Sequence, residues 1–136
     1  MPAEAKGTTP HGAEAFGRYY VTVINYSLAS GDTSAIRDHS TKQCQTCEAI
    51  AAAIDKVYEH SGHLEGAGWR VLSAAPAMST SGKTARVSMQ VRINRQVAYA
   101  TPGASPSASR PQTGRLDFGL KRSGKTWVTD ELRANQ

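Results

Sequence analysis

A chain of 136 residues, 39% apolar and 20% charged, has the size and composition of one globular domain around a single core. No stretch approaches the roughly 20 apolar residues of a membrane-spanning helix. The formal charge of +5 comes from Lys and Arg residues scattered along the chain, whereas nucleic-acid-binding proteins usually gather them on one helix or face. Nucleic acid is therefore not an expected partner.

The N-terminal residues lack the features of a targeting segment. Met1–Gly12 is polar and carries Pro2 and Pro10, which does not fit the apolar centre of a signal peptide. Two interpretations follow: the protein is cytosolic, or an export signal lies upstream of this sequence. Residues 1–8 are predicted to form a flexible tail, and residues 9–133 a single domain.

The first predicted helix runs from Pro10 to about Ala29. Apolar residues recur there at helical spacing, Pro10 suits a first helical turn, and Gly31 is typical of a helix C-terminus. The apolar stripe and its flanks are rich in aromatic residues, namely Phe16, Tyr19, Tyr20 and Tyr26. Packing in a core explains this stripe. A second interpretation is that the tyrosine hydroxyls face a cavity, since buried tyrosines need hydrogen-bond partners.

Two more helices are predicted before the pattern changes. Asp32 is a good N-cap for a short helix Thr33–His39. A third helix opens at Cys44 and continues to about His60, because apolar residues again recur at helical spacing, and Gly62 ends it.

The second half of the chain is predicted to form strands. Thr84–Arg95 alternates between apolar and polar residues, which is typical of a half-buried strand, with a continuation toward Tyr99. Residues 101–113 are rich in Pro and Ser and predict a long, mobile hairpin loop. Helices followed by strands indicate an α+β fold with an antiparallel sheet. The other predicted extended segments are Leu64–Gly68, Trp69–Met78, Gly114–Arg122 and Thr126–Leu132.

Cys44 and Cys47 form a C-x-x-C pair with four interpretations. The first interpretation is a structural disulfide that closes a small loop, and the second is a pair of inert thiols. The third is a redox centre at a helix N-terminus, and the fourth is half of a zinc site. The redox interpretation is weakened because the motif lies between two helices rather than after a strand. The zinc interpretation needs two further ligands, and His39 lies at an unusual spacing. A disulfide is favoured, and no metal is expected.

No catalytic constellation stands out from the sequence. The carboxylates are few, and Asp38, Glu48 and Asp55 are predicted on polar helix faces where no two are placed together. His60 and His63 flank a helix end, which suits the helix dipole. There is no nucleophile motif, phosphate-binding loop or dinucleotide fingerprint, so no cofactor is expected.

The order of helix, short helix, helix and then a bent sheet resembles the NTF2-like (cystatin-like) α+β cone. More closely, the run G-D-T-S-A-I-R followed by C-Q-T-C, with Trp69 downstream, is similar to DUF6318, a family of uncharacterised actinobacterial lipoproteins. This second resemblance covers Gly12 to Arg133, nearly the whole chain. The segments that carry the first are Phe16-x-x-Tyr19-Tyr20, Gly31-Asp32, Val87–Ile93 and Gly124–Val128.

The resemblance implies three N-terminal helices packed on a curved antiparallel sheet of about four to five strands. It also implies an exported protein, anchored to the membrane by a lipid on a cysteine upstream of this sequence. The oxidising environment outside the cytoplasm would agree with a disulfide between Cys44 and Cys47. Without the resemblance, the expected location is the cytoplasm.

NTF2-like cones often enclose a pocket between helices and sheet. Some are enzymes with an Asp/His or Asp/Tyr set inside, and no ionisable residue in this sequence matches that set. The side chains expected to line a cavity here, each of which is also explained as ordinary core, are Tyr20, Ile54, Tyr58, Trp69, Met89 and Phe118.

We therefore expect a non-catalytic module that binds a small apolar ligand or a cell-surface protein. The alternative is a small enzyme of the isomerase or dehydratase type that uses the cone cavity. Many NTF2-like domains pair through the sheet, where Arg86, Gln90 and Arg92 would lie in this chain. Their polarity predicts a monomer or a weak homodimer.

Overall fold

The computed structural model describes residues 1–103 and 105–135. A 3₁₀ turn at Ala3–Lys6 is followed by the helices α1 Pro10–Ser30, α2 Ser34–Asp38 and α3 Gln45–Tyr58. The strands are β1 His63–Gly66, β2 Trp69–Met78, β3 Thr84–Ile93, β4 Gln96–Tyr99, β5 Ser107–Ala108, β6 Gln112–Ser123 and β7 Thr126–Asn135. Paired strands are antiparallel. The predicted α+β class is confirmed.

Helix α1 begins and ends where its sequence predicts. The Thr9 hydroxyl accepts a hydrogen bond from the Gly12 amide at 3.2 Å, and Pro10 occupies the first turn. Gly31 adopts a left-handed conformation (φ +80°), and its amide donates to the Ser27 carbonyl at 2.8 Å. A side chain on Gly31 would also collide with the Tyr58 ring, at 2.6 Å from its Cγ.

The two shorter helices differ from prediction by one or two residues at their ends. Thr33 precedes α2, while the Asp32 carboxylate accepts hydrogen bonds from both the amide and the hydroxyl of Ser34. Cys44 precedes α3, and its sulfur accepts from the Cys47 amide at 3.3 Å. Ser61, with φ +62°, follows α3 before Gly62 is reached.

The predicted flexible tail at residues 1–8 is wrong. Ala3–Lys6 forms a 3₁₀ turn, and Ala5 is fully buried in the core. The buried indole of Trp127 donates to the Gly7 carbonyl at 2.8 Å, because a Trp N–H in a core needs an acceptor. The Arg122 guanidinium donates to the Lys6 carbonyl at 3.1 Å. These partners lie over 100 residues away along the chain, so local composition carries no sign of them.

The strands form two sheets rather than one. The main sheet has the order β2-β3-β6-β7, and a smaller sheet has the order β1-β4-β5. The central strand β3 therefore ends at Ile93, and the chain enters the smaller sheet as β4 instead of continuing to Tyr99. The sheet of four to five strands expected from the resemblance corresponds to the four-stranded main sheet.

The predicted loop at residues 101–113 is shorter than expected. Ser107–Ala108 pairs with β4, and β6 begins at Gln112. Ala104 of the predicted loop lies outside the described residues. The segment therefore contributes a short edge strand as well as a connection.

The main sheet has one covered face and one open face. Along β3, the side chains of Ala85, Val87, Met89 and Val91 are buried and alternate with exposed polar residues, as predicted. Helix α1 covers the buried face closely, since a Cβ on Gly17 would lie 2.8 Å from the Met89 methyl. None of the helices in the described residues is long and apolar enough to cross a bilayer.

Candidate functional site

The residues predicted to line a cone cavity are mostly core residues. Tyr20, Met89 and Phe118 are almost fully buried, as is Ile54. The Tyr20 and Phe118 rings meet edge to face, with their centroids 5.7 Å apart. The structure therefore brings these side chains together within one buried hydrophobic cluster.

The remaining two predicted lining residues serve as structural ties. The Tyr58 hydroxyl donates to the Leu28 carbonyl at 2.5 Å and accepts from the Leu64 amide at 3.2 Å. The backbone of Trp69 is held by the Asn25 side chain, which accepts from its amide and donates to its carbonyl, both at 2.8 Å. Each tie joins α1 to a neighbouring element.

Tyr20 links the core to the surface on the helical side. Its hydroxyl lies 2.7 Å from the Ser40 Oγ, and Ser40 donates in turn to the Ile36 carbonyl. Burial raises the pKa of Tyr20 to about 12, and the hydrogen bond with Ser40 offsets only part of that rise. The phenol is therefore neutral at physiological pH and acts as a fixed hydrogen-bond partner.

Cys44 and Cys47 form a disulfide, with their Cα atoms 5.3 Å apart. The favoured interpretation of the C-x-x-C pair is thus confirmed. His39 lies elsewhere, with its ring edge-on to Phe16 and Tyr19 at centroid distances of 6.1 and 5.3 Å. Partial burial there lowers the pKa of His39. Within the described ranges, no group of three His, Cys, Asp or Glu residues is arranged to hold a metal ion.

A cleft of about 510 Å³ opens beside this disulfide, between α2, the following loop and the start of α3. We call it the disulfide cleft. Its floor is apolar, formed by Ile36 and the two half-cystines, all of them buried. Its rim is polar and formed by Arg37, Ser40, Thr41, Lys42 and Glu48.

The loop that forms one wall of the cleft is fixed to the edge of β7. The Thr41 amide donates to the Thr129 carbonyl at 2.9 Å, and the Thr129 amide donates to the His39 carbonyl at 2.8 Å. The Thr41 hydroxyl also donates to the Asp130 carboxylate at 2.6 Å. Since the disulfide closes the other end of this loop, the cleft exists before any ligand arrives.

The rim is organised by one guanidinium. Arg37 makes two parallel hydrogen bonds to Glu48, at 3.0 and 2.9 Å, and a third to Asp55 at 2.9 Å. The hydrogen bonds from Arg37 lower the pKa of Glu48, and the hydroxyl of Thr33 together with Arg37 lowers the pKa of Asp55. Lys42, also on the rim, forms no ion pair with any described residue.

The disulfide could be predicted from the sequence, whereas most of the cleft could not. Arg37 and Glu48 lie on different helices, and their pairing depends on how the intervening loop turns. The one local signal was the C-x-x-C motif itself, which marks where that loop must close.

The model of a family of unknown function (DUF6318) matches residues 1–133. This chain belongs to the DUF6318 family. No curated protein matches it.

Solved structures share the fold of this DUF6318 protein at low sequence identity. The intermembrane space region of the chloroplast protein ARC6 has a TM-score of 0.71 at 8% identity, covering 93% of this chain and 96% of that chain. An uncharacterised protein with a cystatin-like fold from Caulobacter vibrioides has a TM-score of 0.57 at 9% identity, covering 91% and 89%. An NTF2-like protein from Novosphingobium aromaticivorans has a TM-score of 0.52 at 12% identity, covering 90% and 77%. The NTF2-like, cystatin-like fold expected from the sequence is confirmed.

Proposed function

We propose that this DUF6318 protein is a non-catalytic binding domain that works outside the cytoplasm. Its site is the disulfide cleft, which takes an apolar group of a small ligand or of a partner protein. The observation that carries the proposal is the apolar floor of Ile36 and the disulfide beneath a polar rim. Binding sites commonly combine an apolar interior with a few polar groups that orient the ligand.

The fixed loop supports the proposal because a preformed site avoids the entropic cost of ordering its wall on binding. Three hydrogen bonds to β7 hold Thr41 and His39 in place. Arg37 is held by Glu48 and Asp55, so the rim facing the ligand is also ordered. Lys42 is the rim residue available to an anionic group on the ligand.

The disulfide supports the location outside the cytoplasm, because disulfides persist mainly in oxidising compartments. The likeness to lipoproteins extends this to a membrane anchor, a lipid on a cysteine upstream of the sequence. The location is tested by acid-quenching intact native cells, denaturing the protein and then adding a thiol reagent, so that buried thiols are also reached. We expect Cys44 and Cys47 to stay unlabelled, and labelled thiols would contradict the proposed location.

The site is tested by titrating the ¹⁵N-labelled protein with 1-anilinonaphthalene-8-sulfonate, an apolar probe with one negative charge. We expect the largest amide shifts at Arg37, Lys42 and Cys47. The cleft of about 430 Å³ lined by Gly66 and Gln96 serves as an internal comparison within the same spectrum.

Lys42→Glu should weaken binding of this probe by roughly tenfold, since it replaces the rim's unpaired cation by an anion. Lys56→Glu is the matched control, because it changes the net charge equally at an exposed position of α3 that does not line the disulfide cleft. Equal weakening by both variants would refute the assignment. Shifts centred on Tyr20, Met89 and Phe118 would instead move the site into the cone.

A further inference from the structure

The open face of the main sheet carries most of the protein's strand arginines. The strand register places Arg70 opposite Arg92, Gln90 opposite Arg115, and Asp117 opposite Arg133. Residues paired in this way share a face, and this face is opposite to the buried one. The cations on it are Arg70, Arg86, Arg92, Arg115, Lys121 and Arg133, and the carboxylates on or beside it are Asp117, Asp130 and Glu131.

Four of these six cations form no ion pair with any described residue. Arg115 pairs with Asp117 at 2.9 Å, and Arg133 pairs with Glu131 at 2.6 Å. In the described part of the chain, the exposed side chains of Arg70, Arg86, Arg92 and Lys121 form no ion pair. The open face is therefore positive after its own pairs are counted.

The positions of Arg70 and Arg92 lower the stability of the sheet. They are direct cross-strand neighbours in the β2–β3 ladder, and like charges at such positions destabilise a sheet. Arg115 lies on the next strand, diagonally from Arg92, and its charge is already shared with Asp117. An anion lying across Arg70 and Arg92 would remove the repulsion between them.

The middle of the open face is low enough for a chain to lie on it. Ser73 and Ala75 on β2 are small, and they border a cleft of about 370 Å³ that also includes Gln90 and Arg115. A neighbouring cleft of about 360 Å³ again includes Gln90 and Arg115, together with Asn135. Polar side chains in these clefts offer hydrogen bonds to peptide groups.

We propose that this open face docks an acidic, extended segment of a partner protein, with its carboxylates on Arg70, Arg92 and Arg86. Guanidinium groups bind carboxylates through two parallel hydrogen bonds, which gives both strength and orientation. Among the described residues, the outward positions of the main sheet carry no aromatic side chain, so this face lacks the stacking groups typical of single-stranded nucleic-acid sites. A second copy of this chain would bring cations against cations. The proposal does not involve the disulfide cleft.

The test uses a short fluorescein-labelled peptide of alternating Glu and Ser, with binding followed by fluorescence anisotropy. We expect the variant Arg70→Gln/Arg92→Gln to bind the peptide roughly tenfold or more weakly than the unchanged protein. Arg110→Gln/Lys125→Gln is the matched control, because it removes two exposed charges away from the open face. This control should lose less than about twofold.

A stability measurement shows whether weaker peptide binding comes from a destabilised variant. Because the substitution removes like-charge repulsion, the urea midpoint of Arg70→Gln/Arg92→Gln should stay the same or rise. A lower midpoint would overturn the premise. Failure of the unchanged protein to bind the peptide, or equal loss in both variants, would overturn the proposal. So would tighter binding to oligothymidylate or to phosphatidylglycerol vesicles, since the partner would then be a phosphate surface.

Discussion

The two faces of the main sheet are made by the same strands and differ in almost every physical property. On the inner face, residues such as Val87, Met89 and Phe118 are buried and packed beneath α1. On the outer face, Arg86, Gln90 and their neighbours are exposed and border shallow clefts. The packing that stabilises the domain is therefore concentrated on one face. The other face is free to carry charge that does not contribute to folding.

The largest loss of stability is expected when packing on the inner face is removed. Phe118→Ala removes a fully buried ring that meets Tyr20 edge to face. We expect a loss of about 3–5 kcal/mol in the free energy of unfolding, measured by urea denaturation. Gln90→Ala on the adjacent strand is the outer-face control, with an expected change within about 0.5 kcal/mol. Similar losses in both variants would contradict the division of roles.

The disulfide fixes the start of α3, one of the helices on the covered side. Cys44→Ala/Cys47→Ala should lose about 2 kcal/mol through the greater freedom of the unfolded loop, with a further loss from the missing cap of α3. Urea denaturation of Cys44→Ser/Cys47→Ala separates the two effects, because Ser at position 44 restores an N-cap acceptor. An unchanged midpoint in the first variant would show that the cross-link does not stabilise the domain.

Asn25 fastens α1 to the edge of the sheet that it covers. Asn25→Ala leaves the amide and carbonyl of Trp69 without their partner and should cost about 1–2 kcal/mol. Asn25→Asp keeps the acceptor for the Trp69 amide and should recover part of that loss. Both are measured by thermal or urea denaturation, and Thr22→Ala on the exposed side of α1 is the control. If Asn25→Ala loses no more stability than that control, the hydrogen bonds between Asn25 and Trp69 do not stabilise the domain.

Of these substitutions, that of Tyr20 is expected to change the free energy of unfolding least at neutral pH, and the change should depend on pH above 10. Tyr20→Phe loses the hydrogen bond to Ser40, worth about 1 kcal/mol, while Ser40 keeps its bond to Ile36. The pKa of Tyr20 is about 12 in the folded protein against 10.0 as the ordinary value. Between those pH values the unfolded chain loses the proton first, so stability falls as pH rises.

Removing this phenol should therefore flatten the pH dependence of stability in that window. The measurement is a series of urea denaturation curves between neutral and alkaline pH for both proteins. The difference in stability between Tyr20→Phe and the unchanged protein should shrink as the pH rises above 10. A constant difference across the series would show that Tyr20 ionises at its ordinary pKa.

The sequence by itself determined the local features of this DUF6318 protein. Thr9, Pro10 and Gly31 act within a few residues of the helix ends they define, and the alternation along β3 reports directly which side chains are buried. Cys44 and Cys47 are three residues apart, so their pairing needed no distant part of the chain. Short-range geometry is encoded by neighbouring residues, and it could be predicted from them.

Tertiary structure alone decided the features that join distant residues. The burial of Ala5 depends on the packing of residues 1–7 against Trp127 and its strand, and the cleft rim depends on Arg37 reaching Glu48 across a loop. The place of Tyr20 and Phe118 in the buried cluster also followed from packing, since both would suit a cavity wall as well as a core. Hydrogen bonds and contacts of this kind depend on the relative placement of whole helices and strands, which no local pattern specifies.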